Sequence, residues 1–217
     1  LLTIKKIIDN KRLISAKTSM AYQQDFRRLG MTLNDKLNYE EWVEVYKKLV
    51  FWELELEKLD DPQMHEILTM QKSEANMQFS KFIEDNYLGW VNGKEKAPLL
   101  SNDLLKKKAF PLINTTTPVF FILIDNLRYD QWKIINPLIT EYFRLEEEDT
   151  YSSILPTATQ YARNSIFSGL MPLEMERKFP SLWQNDDEEG GKNLHEETFL
   201  GENIKRNLRK ECKFSYN

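Results

Sequence analysis

The chain has 217 residues, 41% hydrophobic and 29% charged, which suits a globular protein with one large or two small cores. Its 30 Lys and Arg against 34 Asp and Glu leave a net charge of -4, so no global basic field points to nucleic acid. No apolar run approaches the ~20 residues of a membrane helix, the lone Cys212 excludes an internal disulfide, and His65 and His195 are too few for a histidine-rich metal cage.

Residues 1–90 carry Pro62 and Gly30 as their only structure breakers before Gly89, and their apolar residues recur at helical spacing. Leu13 to Arg28 is expected to form one helix, ended by Gly30 as a C-terminal cap. A second starts at Asn38 and carries Trp42, Tyr46, Leu49, Trp52, Leu56 and Leu59 along one stripe. Asp60-Asp61-Pro62 breaks the pattern, and a third helix is expected from Gln63 to Trp90 with Leu68, Ala75, Phe79, Phe82 and Ile83 on one face. Three amphipathic helices predict a bundle over residues 1–90. Its tryptophans read as core and His65 as a surface residue.

The Gly, Pro, Ser and Asn of Val91 to Asp103 mark a linker, followed by a short helix over 104–110, so that residues 91–112 join two domains. From 113 to 217 the pattern changes. Val119 to Ile124 is a continuous apolar run that suits a strand covered on both faces. A helix is expected from Leu127 to Ile135, restarted at Pro137 and ending at Arg144. Glu146 to Asp149 reads as a solvated turn and Thr150 to Leu155 as a second strand, which makes 119–155 the length of a parallel crossover unit. The fold class expected is therefore α/β, a helical bundle followed by a mostly parallel sheet. Gln160 to Phe167 should be a helix closed by Ser168-Gly169. Asn185 to Lys192 reads as an exposed insertion, Asn203 to Lys210 as a basic helix, and Cys212 to Tyr216 as a last strand. The chain opens at Leu1 without Met or a signal-peptide pattern and stops just after that strand, so a piece of a longer protein in a reducing cytoplasm is expected.

Asp125 ends the first strand and Thr159 starts a helix at the same sheet edge, where ligands of α/β folds gather. A helix N-terminus offers N–H groups and positive potential to a phosphate. A Thr hydroxyl in contact with a divalent metal gains alkoxide character, Asp125 would hold such a metal, and Arg163, one turn after Thr159, would clamp phosphate oxygens. Spacing alone equally allows Asp125 and Thr159 to be plain helix caps.

Phe121-Ile122-Leu123-Ile124-Asp125-Asn126-Leu127-Arg128, followed by Leu155-Pro156-Thr157-Ala158-Thr159-Gln160-Tyr161-Ala162-Arg163-Asn164, resembles the start of a PglZ domain of the alkaline phosphatase superfamily. With a helical bundle before it, the chain is similar to PorX-like response regulators of the type IX secretion system. The resemblance implies a zinc-dependent phosphodiesterase acting on nucleotide or oligonucleotide phosphodiesters. It implies Thr159 as nucleophile and metal contact and Asp125 as metal ligand. Nucleotide phosphodiesterases of the superfamily place an Asn three residues after the nucleophile. Here that position is Ala162, leaving Asn164 and Arg163 as the candidates for phosphate contact. The remaining ligands of two zinc ions have no counterpart in the chain. Also implied are a phosphorylated receiver domain on the same polypeptide, a sensor histidine kinase, and a homodimer on activation. The alternative is a non-catalytic module that binds a sensor kinase or a transcription partner.

Overall fold

The computed structural model of the chain describes residues 2–59, 61–93, 96–113, 117–184, 191, 193–208 and 212–217. It divides into two compact units, one of residues 1–96 with 127–146 and one of residues 97–126 with 147–217.

The first unit consists of helices α1 (Leu2–Thr32), α2 (Tyr39–Leu56), α3 (Pro62–Val91) and α4 (Tyr129–Ile139). α1 continues through Gly30, where a cap was expected. A glycine inside a helix costs only about 1 kcal/mol, and the chain keeps its ladder there, Leu33 N donating to Leu29 O at 2.9 Å while both side chains stay buried. α2 starts where Asn38 predicts, with a reciprocal cap. Asn38 Oδ1 accepts from Glu41 N at 2.9 Å and Glu41 Oε2 accepts from Asn38 N at 2.7 Å. Asp61 caps α3 by accepting from the Gln63 and Met64 amides, with Pro62 at the first helical position.

Tyr22 and Leu29 of α1 and Leu33 just after it meet Trp42, Leu49, Trp52 and Leu56 of α2 and Leu68 and Ala75 of α3 in one core. Tyr46, expected on the same stripe, is half exposed. The core also contains polar ties. Asp25, 9% exposed, accepts from Trp52 Nε1 at 3.0 Å and pairs with Lys48 Nζ at 2.6 Å and with Arg28. Burial alone would raise the Asp25 pKa. The Lys48 and Trp52 hydrogen bonds and the charges of Lys48 and Arg28 outweigh that and hold it below the ordinary carboxylate value. Gln71 Nε2 donates to Phe26 O at 3.1 Å, which links α3 to α1. α4 runs through Pro137 rather than breaking there. Pro137 removes one N–H near the helix end, and Thr140 N to Asn136 O at 2.9 Å resumes the ladder.

The second unit overturns the expected sheet. Among the described residues no sheet forms, and strand-like pairing is confined to an isolated parallel bridge between Leu100 and Ser152, with Ser152 N donating to Leu99 O at 2.8 Å. Among the described residues, Val119 to Ile124 takes no regular structure and enters no ladder, Thr150 to Leu155 enters one only through Ser152, and residues 212–216 enter none. The parallel crossover unit expected over 119–155 is therefore not formed. The physical reason is that an extended segment leaves its N–H and C=O groups for a neighbour about 4.8 Å away, and an apolar run does not supply that neighbour. Nor is the run covered on both faces. Phe121 meets Phe167 edge-on at 6.2 Å and Leu123 packs on the core, while Phe120 and Ile122 are 83% and 79% exposed.

What organises this unit is helical. It contains α5 (Thr159–Ser168), α6 (Pro172–Lys178) and α7 (Glu196–Asn207). The short helix expected over 104–110 is an irregular pair of turns, Leu105–Ala109 and Phe110–Leu112. α5 ends as its sequence predicts, with Gly169 left-handed at φ 64°. Any other residue would be strained there, because a Cβ would lie 2.7 Å from Asn203 Oδ1 and force that buried side chain to move. α7 starts at Glu196, seven residues before the helix expected at Asn203, and α6 was not foreseen. The exposed insertion expected over Asn185 to Lys192 lies outside the described residues apart from Gly191. Leu105, Phe110, Ile166 and Ile204 form the main core cluster.

Candidate active site

The four residues singled out by the sequence lie in the second unit, around α5. Thr159 is the first residue of α5, and the cap position is filled by Ala158, which offers no side-chain hydrogen bond. The first backbone bonds of the helix come from Tyr161 and Ala162, both to Ala158 O. The positive end of α5 therefore falls at Thr159, which is partly exposed. The cap position of α4 falls on Arg128 and not on Asp125.

Asp125 follows the apolar run and precedes Asn126, whose φ of 58° is left-handed and turns the chain sharply. Its carboxylate meets α5 through Arg163. Arg163 Nη1 lies 3.4 Å from Asp125 Oδ2, and Arg163 Nη2 donates to Glu196 Oε2 at 2.6 Å. The Asp125 side chain is 38% exposed and that of Glu196 only 2%. Tyr216 donates its hydroxyl to the same Glu196 oxygen at 2.5 Å. One guanidinium thus spans an open carboxylate at the end of the apolar run and a buried one at the start of α7.

The electrostatics follow from that arrangement. Burial alone would lower the Arg163 pKa, but the Glu196 hydrogen bond and the charges of Glu196 and Asp125 carry it above its ordinary value. The Tyr216 hydroxyl is pushed up, chiefly because its hydrogen bond to Glu196 favours the protonated form. Tyr151 is pushed up by burial and by the Asp125 charge.

Asn164 is buried within the unit. The structure therefore brings Asp125 and Arg163 into contact, places Thr159 one turn from Arg163, and turns Asn164 inward. Sequence reasoning missed Glu196 and Tyr216. Glu196 did leave a signal: with Phe199, Asn203 and Ile204 it recurs at i, i+3, i+7 and i+8, and all four are buried. That stripe begins seven residues before the basic segment that drew attention. Tyr216 left none, since it belongs to no periodic element.

Zinc sites take about four ligands, at least three of them from protein. Among the described residues no group of three or more His, Cys, Asp or Glu side chains comes together, and Asp125 already faces a guanidinium. These residues do not make up such a site by themselves. No helix among the described residues is long and apolar enough to cross a membrane.

Comparison with known proteins gives two matches. The model of the PorX response regulator linker domain matches residues 12–91. The model of the BREX system PglZ alkaline phosphatase-like domain matches residues 104–217, more than half of the chain. No curated protein is similar enough to count as a match.

Proposed function

This chain belongs to the PglZ alkaline phosphatase-like family, and we propose that it forms part of a zinc-dependent phosphodiesterase effector of a response regulator. With the PorX-type linker before it, the coarse reading is a phosphoesterase-like response regulator. The finer reading is hydrolysis of nucleotide or oligonucleotide phosphodiesters in the control of type IX protein secretion, in a cytoplasmic protein. It includes a receiver domain whose phosphorylation by a sensor histidine kinase favours a homodimer.

The observation that supports this reading is the convergence on α5. Thr159 stands at the positive end of the helix, and Arg163 ties that helix to Asp125. In this reading Thr159 Oγ gives its proton to water and attacks phosphorus, the helix end and Arg163 take the charge on the phosphoryl oxygens, the ester oxygen leaves with a proton from water, and a further water cleaves the Thr159 phosphoester. Asn164, being buried, supports α5 rather than touching substrate. Asp125 would contribute one metal ligand of a set that the described residues do not complete.

The test is turnover of bis-p-nitrophenyl phosphate by the full-length protein, together with its zinc content. The reading expects zinc in the wild type, less of it in Asp125→Ala, and hydrolysis that stops on chelation. Wild-type protein that neither retains zinc nor turns over any phosphodiester would leave the non-catalytic interaction module as the better account.

A further inference from the structure

The two contacts of Arg163 differ in kind. The bond to Glu196 is 2.6 Å long, and its carboxylate is almost wholly buried. The contact with Asp125 is 3.4 Å, beyond the usual length of a charge-assisted hydrogen bond, and it is open to solvent. Charges attract more strongly away from water, and breaking a buried pair by removing one partner leaves an uncompensated charge. An anion arriving at the start of α5 therefore displaces the Asp125 contact before the Glu196 one.

Glu196 has a second unusual feature. Its Oε1 is buried without a hydrogen-bond partner, and so is Arg163 Nε. Burying an acid with one oxygen unsatisfied costs stability, and a link between α5 and α7 needs no charge, since apolar residues of similar volume join helices at least as well. The charge at position 196 calls for a reason other than packing.

We propose that Glu196 is a positioning residue for phosphate recognition. It anchors one edge of the Arg163 guanidinium from inside the unit, so that the other edge turns from Asp125 to an oxygen of a bound phosphoryl group. Arg163 has five N–H donors in a rigid plane, so fixing Nη2 on Glu196 also fixes where Nη1 points. Asp125 is thereby released when the phosphoryl group binds. This rests on the reading of α5 as the phosphoester site, and it adds a residue from α7 to that site.

The experiment uses the full-length protein with inorganic phosphate as probe, measured by calorimetry and by competition against bis-p-nitrophenyl phosphate. Glu196→Gln keeps the size of the side chain and removes its charge. It is expected to weaken phosphate binding about tenfold, the loss of one oriented charge-assisted contact, and to raise KM by a similar factor while kcat changes much less. Glu196→Asp, which restores the charge on a shorter stem, is expected to recover part of the affinity. Tyr216→Phe removes the other bond to Glu196 and leaves the ion pair, so phosphate affinity is expected to stay near wild type.

Glu196→Gln with wild-type phosphate affinity overturns the proposal. So does equal weakening in Tyr216→Phe and Glu196→Gln together with a matching fall in melting temperature, which marks a packing role. A wild type that binds no phosphate overturns the α5 reading itself. A wild type that binds it, alongside an unaffected Glu196→Gln, overturns only the positioning role.

Discussion

The two units handle apolar surface in opposite ways. In the first, Trp42, Leu49, Trp52 and Leu56 on α2 are buried against α1 and α3. In the second, the most continuous apolar stretch of the chain, Val119 to Ile124, leaves Phe120 and Ile122 largely exposed. The difference lies in the backbone. A helix satisfies its own N–H and C=O groups, so an amphipathic stripe needs only another stripe to cover it. An extended run must find both a covering layer and a hydrogen-bonding neighbour, and its side chains cannot supply the second. The first unit is accordingly a scaffold whose residues act on stability. The second holds its proposed chemistry on α5, α7 and connecting segments, where substitutions of exposed residues are expected to change ligand binding more than the core.

The largest expected effect breaks that division if it fails. Thr159→Val in the full-length, metal-loaded protein removes only a hydroxyl from a partly exposed position that makes no capping bond. Its melting temperature should hardly change. Its turnover of bis-p-nitrophenyl phosphate should fall by orders of magnitude, as when other enzymes lose a nucleophile. Thr157→Val is the neighbouring control and should cost far less. Equal residual activity in the two variants would reject Thr159, and the reverse order would move the nucleophile to Thr157.

Leu56→Ala is the counterpart in the first unit. Leu56 is fully buried, so its truncation should cost about 3 kcal/mol of stability, mostly transfer and cavity terms. Tryptophan fluorescence during urea unfolding checks this directly, because Trp42, Trp52, Trp90 and Trp132 all lie in that unit. A loss below about 1 kcal/mol would mean that the site collapses or that the core is looser than the packing implies.

The same contrast explains which parts of the molecule the sequence discloses. The capping signals at Asn38 and Asp61-Pro62 and the stripes of α2 and α3 are local, so they were legible. So was the Gly169 end of α5, where one residue type meets one backbone conformation. The sheet was misread because the Val119 to Ile124 run reports only that its residues are apolar, not that a partner lies alongside. Helix continuity was misread at Gly30 and Pro137 because a single breaker costs about 1 to 3 kcal/mol and neighbouring packing and hydrogen bonds offset it. At the candidate site, the sequence singles out Asp125 and Arg163, and the structure brings the two into contact. Glu196 was not, because its contact with Arg163 joins residues 33 positions apart.

Acid should separate the units as well. Asp25 has a folded pKa below its unfolded value. Its contribution is therefore complete above the unfolded carboxylate pKa of about 4 and is lost as pH falls through the lower folded value. Stability of the first unit, followed by tryptophan fluorescence, should decline below about pH 4, and Asp25→Asn should be less stable near neutrality with a shallower acid decline. An Asp25→Asn variant with the wild-type acid profile would remove Asp25 as the cause.

The smallest expected effect compares two helix starts. Asn38 begins α2 with an extended backbone, φ -85° and ψ 178°, and exchanges two bonds with Glu41. Ala158 begins α5 and exchanges none through its side chain. Asn38→Ala should thus cost about 1 kcal/mol, and Asn38→Gly only a few tenths, since glycine reaches the cap conformation and leaves its amides to water. The converse change, Ala158→Asp, should add a cap and stabilise the second unit by a similar amount. In the full-length protein it should also weaken inorganic phosphate binding, because a fixed carboxylate then occupies the positive end of α5. An Ala158→Asp variant that gains stability and still binds phosphate as tightly as wild type would show that α5 starts uncapped for a reason other than leaving room for an anion.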